Sequence, residues 1–286
     1  MEILICVVSG FFWALFDLTR KLSLKFFSPK LILIFFMLTQ TIIFFVWTLY
    51  SDFFLEIKYY FLPGLILIFI GLVSAILFLK AIANSELSLT IPLLSFTPLF
   101  SAILSFFLLD EQLTIIQYLA IFLIILGTLI LYSSDLRVSS IFYSIEKLKN
   151  NVSAKLMLIV ALSWSITPIL DKISLQYSSI PVHGFFQSFG MLLLLLFISV
   201  TEMKKFKIYD EKKKKLILLT VLIGTVATIF QFYAILNNYV PIMESIKRTI
   251  GQYGSLFFGY LIFKEEINIQ KIFGILLLSL GIFFMI

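Results

Sequence analysis

The sequence predicts an all-α integral membrane protein with ten transmembrane helices arranged as two inverted five-helix repeats, and three observations support this prediction. The chain is 61% hydrophobic and 13% charged, with a mean hydropathy of +1.09, which is far too apolar for a soluble domain. Its 286 residues divide into ten apolar runs, each close to the roughly 20 residues that cross a bilayer as a helix. The two halves of the chain also align with each other.

Charged residues, prolines and asparagines bound the apolar runs and set the expected helices. In the first half, helices are expected at residues 2–22, 30–50, 61–82, 86–108 and 113–133. In the second half, they are expected at 154–175, 181–201, 215–236, 240–263 and 268–286. The chain therefore divides into a first repeat at 1–134, a polar linker at 135–153 and a second repeat at 154–286. The linker is either a short interfacial helix or a plain connection.

The internal repeat is visible in the first and last helices of each half. The first helices align Trp13, Lys21 and Ser23 with Trp164, Lys172 and Ser174. The last pair aligns FFLLDEQLTIIQYLAIFLIILGTLIL with YLIFKEEINIQKIFGILLLSLGIFFM, which places Glu111 over Glu265 and Gly127 over Gly281. Because each repeat has an odd number of helices, the second copy enters the membrane from the opposite side. Inverted repeats of this kind are typical of secondary transporters with a substrate site near the midplane.

Charge and cysteine content exclude several classes of protein. The formal charge is +6, but the basic residues lie in loops beside apolar runs, where they contact lipid head groups, so no nucleic-acid partner is expected. Lys212–Lys215 is expected to be a solvated loop cluster of this kind. A single cysteine, Cys6, excludes an internal disulfide and a cysteine-rich metal site. We expect no metal and no cofactor.

The stretch MESIKRTIGQYGSLFFGYLIFKEE, from Met243 to Glu266, carries charges inside an expected membrane helix. A charge at bilayer depth is costly unless it faces protein, water or a partner. Glu244 can pair with Arg248 at a spacing of four residues, whereas Lys247 is expected to lack a partner on its own helix. The face that these charges share contains small and hydroxyl residues in both halves, which suits either helix packing or a water-filled cavity.

Two adjacent cations, one of them a guanidinium, are suited to bind a carboxylate or a phosphate. The candidate substrate-binding residues are Lys247, Arg248, Glu244, Gly251, Ser255, Thr97, Ser101, Gln231, Tyr233, Trp13 and Trp164. Gln231 and Tyr233 point at different angles, so only one of them is expected to face a cavity. Trp13 and Trp164 either line the cavity or anchor the helices at the membrane interface.

Other polar residues in the helices have plain structural interpretations. Asp17, Arg20 and Lys21 are expected to neutralise one another near a helix end. His183 follows Pro181 at a helix start and is expected to be interfacial, with a proton relay as the alternative. The acidic pair Asp110 and Glu111 lies in a short turn, where helix capping is a sufficient explanation. Glu244 is the candidate proton carrier, because it is an acid at membrane depth.

The two acidic-turn units and the Trp-bearing first helices resemble the EamA branch of the drug/metabolite transporter superfamily. The segment SIKR, at residues 245–248, is also similar to the ninth helix of triose-phosphate translocators of that superfamily. In those proteins a Lys-Arg pair binds substrate phosphate, which implies this role for Lys247 and Arg248. The resemblance implies cytoplasmic termini, whereas the basic loops place both termini outside by the positive-inside rule.

The expected function is secondary transport of a small polar metabolite by alternating access, in a multi-pass protein of the cell (inner) membrane. An anionic substrate with a carboxylate or a phosphate is the leading hypothesis. The expected partners are this small molecule and the lipid bilayer, and the protein is expected to be a monomer or a homodimer. The alternatives are a flippase for a lipid or a lipid-linked sugar, and an integral membrane enzyme, for which we find no converging catalytic residues.

Overall fold

The computed structural model describes residues 2–84, 91–132, 151–204, 210–264, 266 and 268–286. These residues form ten α-helices and one 3₁₀ helix, and they contain no β-strand apart from an isolated bridge between Leu55 and Ser178. The α-helices are α1 (Glu2–Ser23), α2 (Pro29–Leu49), α3 (Ile57–Ala83), α4 (Thr97–Leu109), α5 (Ile115–Tyr132), α6 (Val152–Leu175), α7 (Ile180–Lys204), α8 (Glu211–Asn237), α9 (Val240–Phe263) and α10 (Ile269–Met285). The predicted all-α fold is confirmed.

The outer surface of the bundle is apolar, as a lipid-facing surface must be. Six helices of the described chain are long and apolar enough to cross a membrane, and three shorter apolar stretches accompany them. Large hydrophobic side chains point outward along these helices, including Phe197, Phe107 and Phe283, which are each more than two-thirds exposed. The helix α9 differs, because its charged side chains are buried inside the bundle.

Helix contacts follow a two-fold pattern that relates the halves. Helix α1 packs mainly on α8 and α9, and its counterpart α6 packs on α3 and α4. The pairs α2 and α7, α4 and α9, and α5 and α10 each bring a helix against its own counterpart. Because most large contacts join the two halves, the repeats are interlocked.

The last helix pair shows the same symmetry at single residues. Asp110 and Lys264, which end α4 and α9, both have a φ of 55°, and they donate their backbone N–H groups to the carbonyl oxygens of Ser105 and Gly259. Each residue in the second set follows its counterpart by 154 positions. Since Glu111 and Glu265 share this offset, the geometry agrees with the alignment. Glu265 itself lies outside the described residues.

Several helix starts differ from the sequence-based expectation, including that of α3, which begins at Ile57 and not at residue 61. Residues 86–90 of the expected fourth helix lie outside the described residues, and Ile91–Phe96 form a 3₁₀ helix before α4. Pro98 lies in the first turn of α4, where its missing N–H is tolerated. Lys212–Lys215 belong to α8, not to a loop, because Asp210 caps a helix that extends past its apolar part. Asn151 caps α6 in the same way, and residues 133–150 of the linker region are outside the described residues.

Candidate functional site

A central cavity lies where the two halves meet. It encloses about 860 Å³ that is not filled by protein atoms, part of it open to the outside, and residues of α1–α3 and α6–α9 line it. The charged residues in its wall are Arg20, Asp171, Lys247 and Arg248.

Glu244 holds Lys247 and Arg248 together on one face of α9. Arg248 donates to Glu244 Oε2 from Nη2 at 2.8 Å and from Nε at 3.0 Å. Lys247 Nζ donates to the other oxygen, Oε1, and also to Gln231 Oε1 at 3.0 Å. The expectation that Lys247 lacks a partner on its own helix is wrong, because the two carboxylate oxygens accept from different cations. Glu244 is fully buried behind them.

Trp13 and Trp164 line the cavity, so neither is an interfacial anchor. Lys247 Nζ lies 5.8 Å from the ring centroid of Trp13, and Arg248 Cζ lies 5.1 Å from that of Trp164. Cations at this distance are attracted to the face of an indole ring. The two tryptophans are repeat counterparts, and neighbouring cations of α9 therefore lie against equivalent positions of α1 and α6.

Arg20 is a cavity residue that the sequence analysis missed. It pairs with Asp17 as expected, but Lys21 instead donates to the carbonyl oxygen of Ile82. The guanidinium lies between the rings of Phe16 and Phe78, at 4.1 and 4.3 Å from their centroids. The only sequence signal is the spacing of seven residues from Trp13, which places Arg20 two turns along the same helix face.

The remaining predicted site residues divide into two groups. Gln231 lines the central cavity, and Gly251 lines a small pocket that adjoins it. Thr97, Ser101 and Ser255 are buried and donate to backbone carbonyl oxygens of Ala161, Pro98 and Gln252. These three hydroxyls serve helix packing. Tyr233 is 38% exposed and is not among the lining residues, so Gln231 is the member of that pair that faces the cavity.

Asp171, which lines the cavity, forms a second buried pair with His183. His183 Nε2 lies 3.0 Å from Asp171 Oδ1, and His183 Nδ1 lies 3.0 Å from the hydroxyl of Tyr60. His183 lies in the first turn of α7, as expected, but its side chain is fully buried and does not face lipid head groups. The sequence did not indicate that these three residues are partners, since they lie on three different helices, α6, α7 and α3.

Glu111 joins the two halves at the end of the bundle that contains the start of α1 and the end of α10, here called the terminal end. Its Oε1 accepts from Lys172 Nζ at 2.6 Å, and its Oε2 accepts from the backbone N–H of Val240 at 2.8 Å. Lys172 also donates to the carbonyl oxygen of Asn238 at 2.8 Å. Glu111 therefore caps α9 of the opposite half, whereas the sequence suggested a cap within its own turn.

Replacing Glu111 with Ala is expected to lower the free energy of unfolding by about 1.5–3 kcal/mol, because two charge-assisted hydrogen bonds are lost from a buried carboxylate. Unfolding in mixed micelles measures this change. Asp110→Asn is the matched control, since Asp110 is the exposed neighbouring acid and Asn tolerates a positive φ. Equal losses in both variants would contradict the assignment.

Comparison with known proteins identifies the family. A family model described as the EamA-like transporter family matches residues 1–133 and 152–286. The chain belongs to the EamA-like transporter family. The match covers both repeats of this EamA-like transporter and supports a multi-pass membrane transporter of the drug/metabolite transporter superfamily, not an enzyme.

Two further proteins are similar to this EamA-like transporter. "Uncharacterized transporter YoaV" from Bacillus subtilis (strain 168) is 25% identical over 191 residues, which are 65% of this chain and 62% of that protein. The match thus spans less than two-thirds of that relative's length. A solved structure described only as "Crystal structure of protein" has a TM-score of 0.73 at 13% identity, covering 99% of this chain and 97% of the other. At that identity the likeness supports the fold alone.

Proposed function

We propose that this EamA-like transporter is a secondary transporter of the cell (inner) membrane that moves a small polar metabolite bearing a carboxylate or a phosphate. The observation that carries the proposal is that two cations in the cavity wall share a single counter-charge. Lys247 and Arg248 have one carboxylate, Glu244, between them. The cluster therefore keeps one net positive charge on its own face of the cavity, and this charge attracts an anionic group of the substrate.

Hydrogen-bond donors without partners support an anionic substrate. A guanidinium has five N–H donors, and Glu244 accepts from only two groups of Arg248. Among the described residues, Trp13 Nε1 and Arg20 Nε are buried donors without a hydrogen-bond partner. Both residues line the cavity. Oxygen atoms of a carboxylate or a phosphate accept hydrogen bonds from donors of this kind.

The two ends of the cavity suit alternating access. At the terminal end, the Glu111–Lys172 ion pair holds the two halves together. Toward the opposite end, Arg20 packs between Phe16 and Phe78, which are almost fully buried. In transporters with inverted repeats, one repeat rocks against the other around a fixed central site. The Glu111–Lys172 pair joins the two halves, so it must separate when the terminal end opens.

Replacing Arg248 with Gln is expected to weaken anion binding roughly 10- to 100-fold, the equivalent of losing a charge-assisted hydrogen bond. The measurement is the thermal stabilisation of the purified protein by inorganic phosphate, sugar phosphates and small carboxylates, since a ligand of the native state raises stability by mass action. Arg248→Lys keeps the positive charge and loses the paired N–H donors of the guanidinium. It therefore separates the contribution of charge from that of hydrogen-bond geometry. Lys155→Gln, an exposed position on α6, is the control.

Several outcomes would contradict the proposal. Stabilisation by cationic or neutral ligands alone would mean that Lys247 and Arg248 act only as counter-charges to Glu244. Movement of a labelled lipid in vesicles, without uptake of any anion, would favour a flippase. Uptake of a stabilising anion into proteoliposomes by the wild type, but not by Arg248→Gln, is the result that we expect.

A further inference from the structure

A buried chain of three side chains connects the terminal end of the bundle with the cavity. Tyr60 lies in the first turn of α3 and His183 in the first turn of α7, both at the terminal end. Asp171 lies one turn before the end of α6 and reaches the cavity wall. Tyr60 is 5% exposed, Asp171 is 3% exposed and His183 is fully buried. This chain is separate from the Glu244 cluster.

We propose that Asp171 and His183 form a proton-binding site, positioned by Tyr60, whose occupancy is coupled to substrate binding in the cavity. The coupling rests on the proposed function, because it requires an anion at Lys247 and Arg248. The proton-binding site itself rests only on the contacts of the three side chains.

The hydrogen bonds define where the proton goes. With His183 neutral, Nε2–H donates to Asp171 and Nδ1 accepts from the Tyr60 hydroxyl, so every polar atom of the ring is satisfied. A hydronium ion of cavity water gives up one proton to the pair and is left as water. His183 then carries a proton on each ring nitrogen: Nε2–H still donates to Asp171, and Nδ1–H donates to the hydroxyl oxygen of Tyr60, which turns to accept it. Interacting groups of this kind bind protons as a pair, and histidine is the side chain suited to do so near neutral pH.

Charge balance in the cavity wall gives the coupling. The Glu244 cluster carries one net positive charge, and Asp17 and Arg20 neutralise each other. Asp171 with a neutral His183 carries one negative charge, so the wall is neutral when no substrate is bound. A substrate with one negative charge disturbs this balance, and one proton on the pair restores it. Because charge is costly away from water, we expect the anion and the proton to bind together.

The surroundings of the pair contain few other charges. Lys247 and Arg248 of α9 face the same cavity, and Glu244 lies behind them. Arg20 of α1 lies in the cavity wall and is paired with Asp17.

On the other helices around the pair, charges are directed elsewhere or the contacts are apolar. On α6, the neighbouring Lys172 is directed to Glu111. On α8, the ring of Phe232 packs on His183 with centroids 5.0 Å apart, and on α2 Phe44 packs on Phe232. Each proton taken up by the pair therefore acts directly on the substrate cavity.

Glu244, the acid that the sequence suggested as a proton carrier, is less suited to this role. Both of its oxygens accept from cations, and the side chain has no exposed surface. A proton can reach it only after both ion pairs separate. Asp171, in contrast, lines the cavity and is paired with His183, which is neutral before the proton binds.

Nuclear magnetic resonance of the histidine side chain tests the proton-binding site directly. The chain contains one histidine, so isotope-labelled histidine in protein purified with a histidine-free tag reports on His183 alone. The ring nitrogen signals are followed between about pH 5 and 8, and in the wild type we expect them to show that the pair binds a proton. In Asp171→Asn, we expect these signals no longer to follow the wild-type pH dependence, because the carboxylate of the pair is gone.

Two tyrosine variants separate positioning from general packing. Tyr60→Phe removes the hydrogen bond to Nδ1, so we expect a changed ratio of the two neutral tautomers with proton uptake retained. Tyr59→Phe is the control, because Tyr59 is 51% exposed and stacks on Tyr177 outside the chain. Signals that do not change over this pH range, or that titrate identically in wild type and Asp171→Asn, would overturn the proton-binding site.

Anion binding at two pH values tests the coupling. Sulfate and acetate are the probes, because neither changes its own charge between about pH 6 and 8. Binding is expected to be at least about 5-fold tighter at the lower pH in the wild type, and this ratio is expected to disappear in Asp171→Asn. Binding that depends on Arg248 but not on pH would overturn the coupling and leave the proposed function intact. Titration of His183 without binding of any anion would support the proton site and contradict the anionic substrate.

Discussion

Glu244→Ala is expected to destabilise the transporter by about 3–5 kcal/mol, the cost of leaving buried charges without a counter-charge. Lys247 and Arg248 are only 6% and 10% exposed at their side chains, and both depend on the one carboxylate of Glu244. Unfolding of the purified variant in mixed micelles measures the loss.

A combined variant separates stability from function at this site. Glu244→Leu together with Lys247→Met and Arg248→Leu removes all three charges and keeps side-chain volume. Replacement of a buried ion cluster by apolar residues is often neutral or stabilising, so we expect this variant to be much more stable than Glu244→Ala. We also expect it to bind no anion. A combined variant that is as unstable as Glu244→Ala would show that the charges are not the cause of the loss.

Gly127→Leu is expected to cost about 1–3 kcal/mol or more, because α5 and α10 touch at their backbones. A Cβ atom at Gly127 would lie 2.9 Å from the carbonyl oxygen of Gly274, and one at Gly281 would lie 3.1 Å from that of Ala120. A backbone oxygen cannot move aside as the end of a side chain can. Gly281→Leu is therefore expected to be harmful as well, through the symmetry-related contact.

Gly71→Ala is the matched control for both glycine variants. Its added Cβ would lie 3.6 Å from the sulfur of Met191, which is an ordinary contact. Because Ala favours a helix more than Gly does, stability is expected to stay the same or to rise slightly. Unfolding in mixed micelles of Gly127→Leu, Gly281→Leu and Gly71→Ala compares the three positions. If Gly127→Leu is as stable as the control, the close approach of α5 and α10 is wrong.

The sequence predicted the helices well but their ends less well. Hydropathy marks where a segment leaves the apolar part of the membrane, whereas a helix ends where its capping hydrogen bonds do. For this reason α8 begins at Glu211, under the cap of Asp210, and includes the lysines assigned to a loop. The 3₁₀ helix at Ile91–Phe96 was likewise invisible to an average over apolar residues.

The sequence predicted the part of the candidate site that lies on one helix. It missed the part that is formed where several helices meet. Lys247 and Arg248 stand out because charges on an apolar helix need an explanation, and both line the cavity. Arg20, Asp171 and His183 seemed ordinary because each lies near a helix end in the sequence. Their burial depends on α3, α6 and α7 packing around them.

The sequence by itself determined the membrane class, the ten helices and the inverted repeat, since each follows from apolar length or from alignment of the halves. Only the tertiary structure decided which polar groups are partners. Glu244 with both cations, Glu111 with Val240, and Asp171 with His183 are pairings of this kind. Hydropathy depends on one residue at a time, whereas an ion pair depends on the distance between two side chains. That distance is set by how the two halves pack.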